Sequence, residues 1–223
     1  MPRPRPGALV LHATAAYLMY WGFSTLDNAP AGKWIRTQKG QHFQFLTIQG
    51  LGVAWLTMVI SLAADIFQSK IVLTVKRCFL VVSMPLEVTI SSIYWTLIIL
   101  FPHLILMDEP PTSEQTSSSA SATLMRVPFK VDLALHAVPG IALVLDFFFF
   151  EERYTKYQVA RVVPLTTILF GLWYVSWVEY CASHNGRFPY PFLESPYHIR
   201  ALVYVGAVVQ SFLSFRFLNS RMK

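Results

Sequence analysis

An all-α polytopic membrane protein, a bundle of six transmembrane helices without a soluble domain, is the fold class predicted by this 223-residue sequence. Composition is the first reason. With 54% hydrophobic, 15% aromatic and 13% charged residues, the chain has too little polar surface to cover a water-soluble globule. The second is that six predominantly apolar runs, each near the 20 or so residues that cross a bilayer at about 1.5 Å per residue, fill almost the whole chain. The third is that the longest interval between them, 107–130, holds the tract "DEPPTSEQTSSSASAT". Such Pro/Ser/Thr-rich polar sequence stays disordered, so a flexible loop is expected there and not a domain.

The first span, 7–26, follows the basic "RPRP". A basic start and the Ala29/Ala31 pair in "APAG" also fit a signal peptide, but the apolar run has the length of a full span, which favours retention. The second span, 44–67, opens with "QFLTIQG"; the third, 78–101, carries Pro85 and Glu87; the fourth, 131–150, ends in "DFFFF". The fifth and sixth cover 162–181 and 198–218. Six crossings put both termini on one side, and eleven of the 18 lysines and arginines flank that side against seven on the other. Cytoplasmic flanks hold the excess of basic residues, so both termini are expected in the cytoplasm, in the endoplasmic reticulum or the cell membrane. The net charge of +6 then acts at the membrane surface, and nucleic acid is excluded as a partner because no basic soluble module exists to hold it.

Zinc-type Cys/His spacings, Gly-rich phosphate loops and the G-x-S-x-G elbow are all missing from the sequence, so neither a metal nor a cofactor is expected. Polar side chains inside the spans are the remaining source of chemistry, because burying them in hydrocarbon is costly. Thr47 and His136 stand out. In the expected topology the second and fourth spans enter from the non-cytoplasmic face, which puts each residue about 6–9 Å below it. Each also has an ordinary structural reading. A threonine in a membrane helix usually bonds back to a carbonyl one turn earlier, here that of Phe43, and a buried histidine often serves an interhelical hydrogen bond. Asp132 and Glu179 are candidate orienting carboxylates. Asp132 precedes His136 by one turn on the same face, but its place at a helix start equally fits dipole stabilisation; Glu179 equally fits a solvated helix end.

Several strings resemble the androgen-induced-gene family of multipass membrane threonine hydrolases: "GKWIRTQKGQHFQFLTIQG", "PLEVTISSIYWTLIIL", "LALHAVPGIALVLDFF", "WYVSWVEY" and "RFPYPFLE". The resemblance covers most of the chain. It implies a threonine nucleophile, matched by Thr47 in "FLT", a catalytic histidine, matched by His136 in "LALH", and hydrolysis of fatty acid esters of hydroxy fatty acids drawn from the bilayer. The chain departs from the family's animal members in a longer insert after Gly32 and in the Ser-rich tract following the third span.

The implied chemistry is coherent, since a threonine hydroxyl becomes a useful nucleophile only when a neighbouring base takes its proton, a task suited to neutral histidine. Lys33, Arg36 and Lys39 run into the second span on the reactive side and are expected to attract an anionic lipid head group. Two other classes compete with the enzyme. Glu87 beside Pro85, in a span that proline can break, fits a small membrane transporter or channel; a non-catalytic membrane adaptor is the other.

Overall fold

The computed structural model describes residues 6–26, 32–106 and 126–222, and among them every regular element is helical. The helices are α1 (Pro6–Ser24), α2 (Gly32–Thr37), α3 (Leu46–Phe67), α4 (Lys70–Leu100), α5 (Phe129–His136), α6 (Val138–Phe150), α7 (Val163–Asn185) and α8 (Tyr197–Arg221). The polar tract lies outside the described residues through 125. Residues 126–128 are non-helical, and 129–130 already belong to α5. Arg3, Arg5 and Lys223 of the charge argument, and the Ala29/Ala31 pair, also lie outside.

Among the described residues, four helical stretches are long and apolar enough to cross a membrane: Leu46–Phe67, Phe129–Phe150, Gln158–Asn185 and Tyr197–Arg221. These match the expected second, fourth, fifth and sixth spans. The expected first and third spans are present as α1 and α4 but stand outside that set. Both carry wholly buried polar side chains, His12 on α1 and Glu87 on α4. On α7 and α8, Leu165, Leu169, Leu172, Trp173, Leu202, Val205 and Phe217 are exposed, the outward apolar face that a lipid surround requires.

The 31-residue α4 is the axis of the bundle, packing against α3, α5, α6, α7 and α8, while α1 leans on α3, α5 and α6. Close approach is set by small residues. A Cβ on Gly50 of α3 would stand 2.5 Å from Glu87 Oε1, and one on Gly140 of α6 would stand 2.7 Å from Ser91 Oγ, so a larger residue at either position would displace an α4 side chain. Helix α4 runs unbroken through Pro85, so the interrupted segment that motivated a transporter does not form. The break falls in the fourth span instead, at Ala137 (φ −114°, ψ −49°). Pro139 explains it: its ring has no N–H and crowds the carbonyl four residues earlier. The His136 carbonyl at this break accepts the Ser91 hydroxyl at 2.6 Å.

Candidate active site

Helix α3 begins later than the apolar run. Gly40 adopts φ 81°, a left-handed conformation natural to glycine, and starts a short 3₁₀ turn, Gln41–Gln44; Phe45 then caps α3, and Thr47 is its second residue. That offset decides the fate of the threonine hydroxyl. Thr57, Thr89 and Thr96 all donate to the carbonyl four residues before them, at 2.7–2.9 Å. The Phe43 carbonyl lies in the 3₁₀ turn and is instead taken by Gln49 Nε2 and Trp177 Nε1, at 2.8 and 3.0 Å. Thr47 therefore lacks the back-bond, and its partner is Tyr190: the phenol oxygen accepts the Thr47 backbone N–H at 3.5 Å and also meets the Thr47 side chain. The first N–H groups of a helix have no partner within it, which leaves them open to such a contact. Burial pushes the Tyr190 phenol up from its ordinary range, against the lowering effect of hydrogen bonds from Thr47, Leu46 and Tyr174. It stays a neutral O–H group near pH 7.

His136 is built from one turn of α5. Its Nδ1 lies 2.7 Å from Asp132 Oδ1, an i,i+4 pair that places Nδ1–H toward the carboxylate and leaves Nε2 as the lone-pair nitrogen. Tyr94 of α4 stacks flat on the imidazole, with ring centroids 3.4 Å apart and 1° between planes. Thus carboxylate and aromatic ring together define the imidazole's tilt and rotation. Thr47 and His136 are each 8% exposed, and both line one cavity of about 410 Å³ together with Asp132, Tyr94 and Tyr190.

The other sequence-derived residues lie elsewhere. Glu179 is gripped by Arg200, Nε to Oε1 at 2.7 Å and Nη2 to Oε2 at 3.2 Å, and accepts the Tyr204 hydroxyl at 3.1 Å. It lines neither of the two cavities that Thr47 borders. Arg200, 21 residues on in the first turn of α8, is its partner in place of His136. Lys33, Arg36 and Lys39 are exposed and also stay off the cavity wall. Lys39 lies over the Tyr180 ring at 5.4 Å and is tied through its backbone to Asn185. The basic residue on the wall is Arg126, in the segment just before α5. Glu87 is wholly buried, and neither carboxylate oxygen has a hydrogen-bond partner among the described residues.

Four cavity residues were missed in the sequence: His42, Tyr94, Arg126 and Tyr190. Tyr190 falls within "RFPYPFLE" and Tyr94 within "SSIYWT", strings already conspicuous, yet their aromatic rings read equally well as ordinary interfacial anchors.

Comparison with known proteins places the chain among membrane proteins. The FAR-17a/AIG1-like protein family matches residues 8–222. A protein of Schizosaccharomyces pombe described as a UPF0641 membrane protein is 27% identical over 191 residues, covering 86% of this chain and 78% of its own length. Another UPF0641 membrane protein, from Saccharomyces cerevisiae, is 23% identical over 229 residues, covering 95% and 90%. No solved structure matches the chain significantly. With a match spanning nearly its whole length, from the first helix to the last, the chain belongs to the FAR-17a/AIG1-like family.

Proposed function

We propose that this protein is an intramembrane lipid ester hydrolase in which Thr47 is the nucleophile, His136 the general base and acid, and Asp132 the residue that orients His136. The carrying observation is the shared cavity: a threonine hydroxyl released from its back-bond opens onto the same space as an imidazole whose other nitrogen is held by a carboxylate. Thr47 Oγ attacks the ester carbonyl carbon while His136 Nε2 takes its proton. The bond to the alcohol oxygen then breaks, the departing oxygen takes that proton from His136, and the acyl group remains on Thr47. Water, deprotonated by His136, attacks the acyl-threonine; the carboxylic acid leaves and Thr47 recovers its proton. The Tyr190 hydroxyl, held beside Thr47 at the start of α3, supplies a donor for the oxyanion.

The substrate assigned on the family resemblance is a fatty acid ester of a hydroxy fatty acid, entering from the bilayer. We place α1 and α4 across the membrane as well, since both are packed within the bundle. That makes six crossings with both termini in the cytoplasm. The direct test is labelling by a hydroxyl-directed fluorophosphonate in membranes: the native chain labels and Thr47→Ala does not. Equal labelling of a well-accumulated Thr47→Ala would remove the nucleophile assignment.

A further inference from the structure

Thr47 lines two cavities, each of about 410 Å³, and the wall between them is shared by Thr47, Tyr94, Ile105 and Tyr190. Their chemistry differs. The cavity between α4, α7 and α8 is walled by residues such as Leu86, Ile93, Leu97, Phe170 and Val208. Thr89 and Thr167 also reach that wall, but each spends its hydroxyl on a backbone carbonyl, at 2.9 and 2.8 Å. A ligand there meets hydrocarbon. The other cavity, between α2, α4 and α5, holds His42, Arg126, Asp132 and His136 beside Phe45 and Ile98. Neither His136 nor Arg126 reaches the first cavity.

Building on the hydrolase reading, we propose that the two cavities divide one ester between them: the acyl chain occupies the α4–α7–α8 cavity, and the alcohol half occupies the α2–α4–α5 cavity with its anionic carboxylate at Arg126. The order of bond making requires this hand. The alcohol oxygen must receive a proton from His136 as it leaves, so it lies on the side that His136 lines. The acyl chain stays bonded to Thr47 through the second half of the reaction. It needs a separate apolar room if the alcohol is to depart and water to take its place without displacing it. Charge agrees: an apolar chain suits a wall on which no charged side chain stands, and a carboxylate buried there would lack a cationic partner, whereas a guanidinium matches a carboxylate in a fork of hydrogen bonds.

The test is hydrolysis, in membranes, of an ester series in which acyl and alcohol chain lengths vary independently. Ala207 lines only the first cavity and Ile98 only the second. Ala207→Phe lowers kcat/KM for the longest acyl chains by about tenfold relative to the shortest and leaves the alcohol-chain profile unchanged; Ile98→Trp does the reverse. Arg126→Gln lowers kcat/KM about tenfold for the free acid and leaves its methyl ester unaffected. Exchange of the two chain-length profiles, or an equal effect of Arg126→Gln on acid and methyl ester, overturns the division. If the native chain hydrolyses the series while Ala207→Phe and Ile98→Trp both accumulate with unaltered profiles, the division alone falls. If the native chain hydrolyses no member of the series, the hydrolase reading falls and the division with it.

Discussion

His12 and His136 are both buried histidines held by aspartate, at opposite ends of the bundle, and their surroundings differ. His12 is 0% exposed; its Nδ1 lies 2.6 Å from Asp65 and its Nε2 2.8 Å from Asp146. Asp146 also takes Lys76 at 2.8 Å, and Lys76 and Arg77 both reach Glu151. Neither nitrogen of His12 is free to accept a substrate proton, and neither cavity reaches it. His136 has one nitrogen on Asp132, the other without a hydrogen bond among the described residues, and a cavity beside it. Burial and a carboxylate are common to both imidazoles. What sets His136 apart, and what the proposed base role rests on, is the cavity beside it. One end of the bundle is a closed polar clasp joining α1, α3, α4 and α6; the other is an open site.

The largest effect separates the two ends. Thr47→Ala and His136→Ala each lower ester hydrolysis by on the order of 10³-fold or more, and the double variant is no worse than either, as expected of residues acting as one unit. Accumulation stays near normal. Quantifying turnover per accumulated molecule checks this, and near-native turnover in either variant would dissolve the assignment. His12→Ala should do the opposite: removing one member of a buried charged cluster costs about 3–5 kcal/mol, so the thermal midpoint and accumulation fall while surviving molecules keep their turnover. A His12→Ala protein with native melting but no hydrolysis would show the comparison to be misdrawn.

Asp132→Asn sharpens the reading of the open end. An asparagine of the same shape holds the ring less well and favours the wrong tautomer, so turnover drops about 10²-fold or more with little loss of stability. Turnover unchanged within twofold would reduce Asp132 to a helix-start charge. Tyr190→Phe keeps the ring and removes the donor; kcat falls by about 10²-fold while KM moves little. A rise in KM with kcat intact would instead mark Tyr190 as a wall of the cavity and nothing more. Smallest of all are the changes away from both ends. Glu179→Gln weakens a pair whose carboxylate side chain is 33% exposed, a loss of about 1 kcal/mol or less, and Thr96→Ala removes a back-bond worth about as much. Both leave hydrolysis near native, and a tenfold loss in either would extend the site beyond the shared cavity.

Much of the architecture was legible because bilayer length is a strong filter on sequence: apolar runs at 44–67, 131–150, 162–181 and 198–218 became membrane-length helices with ends shifted by a few residues. Pro85 and Pro139 show the limit. Only Pro85 was expected to break its span, yet α4 absorbs it inside a packed bundle while the span holding Pro139 breaks two residues before that proline, with the His136 carbonyl taken by Ser91 from α4. Local rules name the capacity to break, and tertiary partners decide where it is used.

The site divides the same way. Thr47 and His136 were found from short strings near the starts of two spans, and the i,i+4 spacing of Asp132 and His136 was readable because one helical turn brings such residues together without outside help. Within-helix geometry is local, so sequence alone determined that pair, along with the membrane-length helices and the family. What no spacing contained was the placement of Tyr94 on the imidazole, Tyr190 at the Thr47 amide, Arg126 and not Lys33, Arg36 or Lys39 on the cavity wall, and Arg200 on Glu179. Each of these joins residues 21 to 143 positions apart or depends on which of several loops closes over the bundle. Only the packing of one helix against another decided them, because contact between distant residues is set by the rotation and depth of whole helices and not by any property of the residues alone.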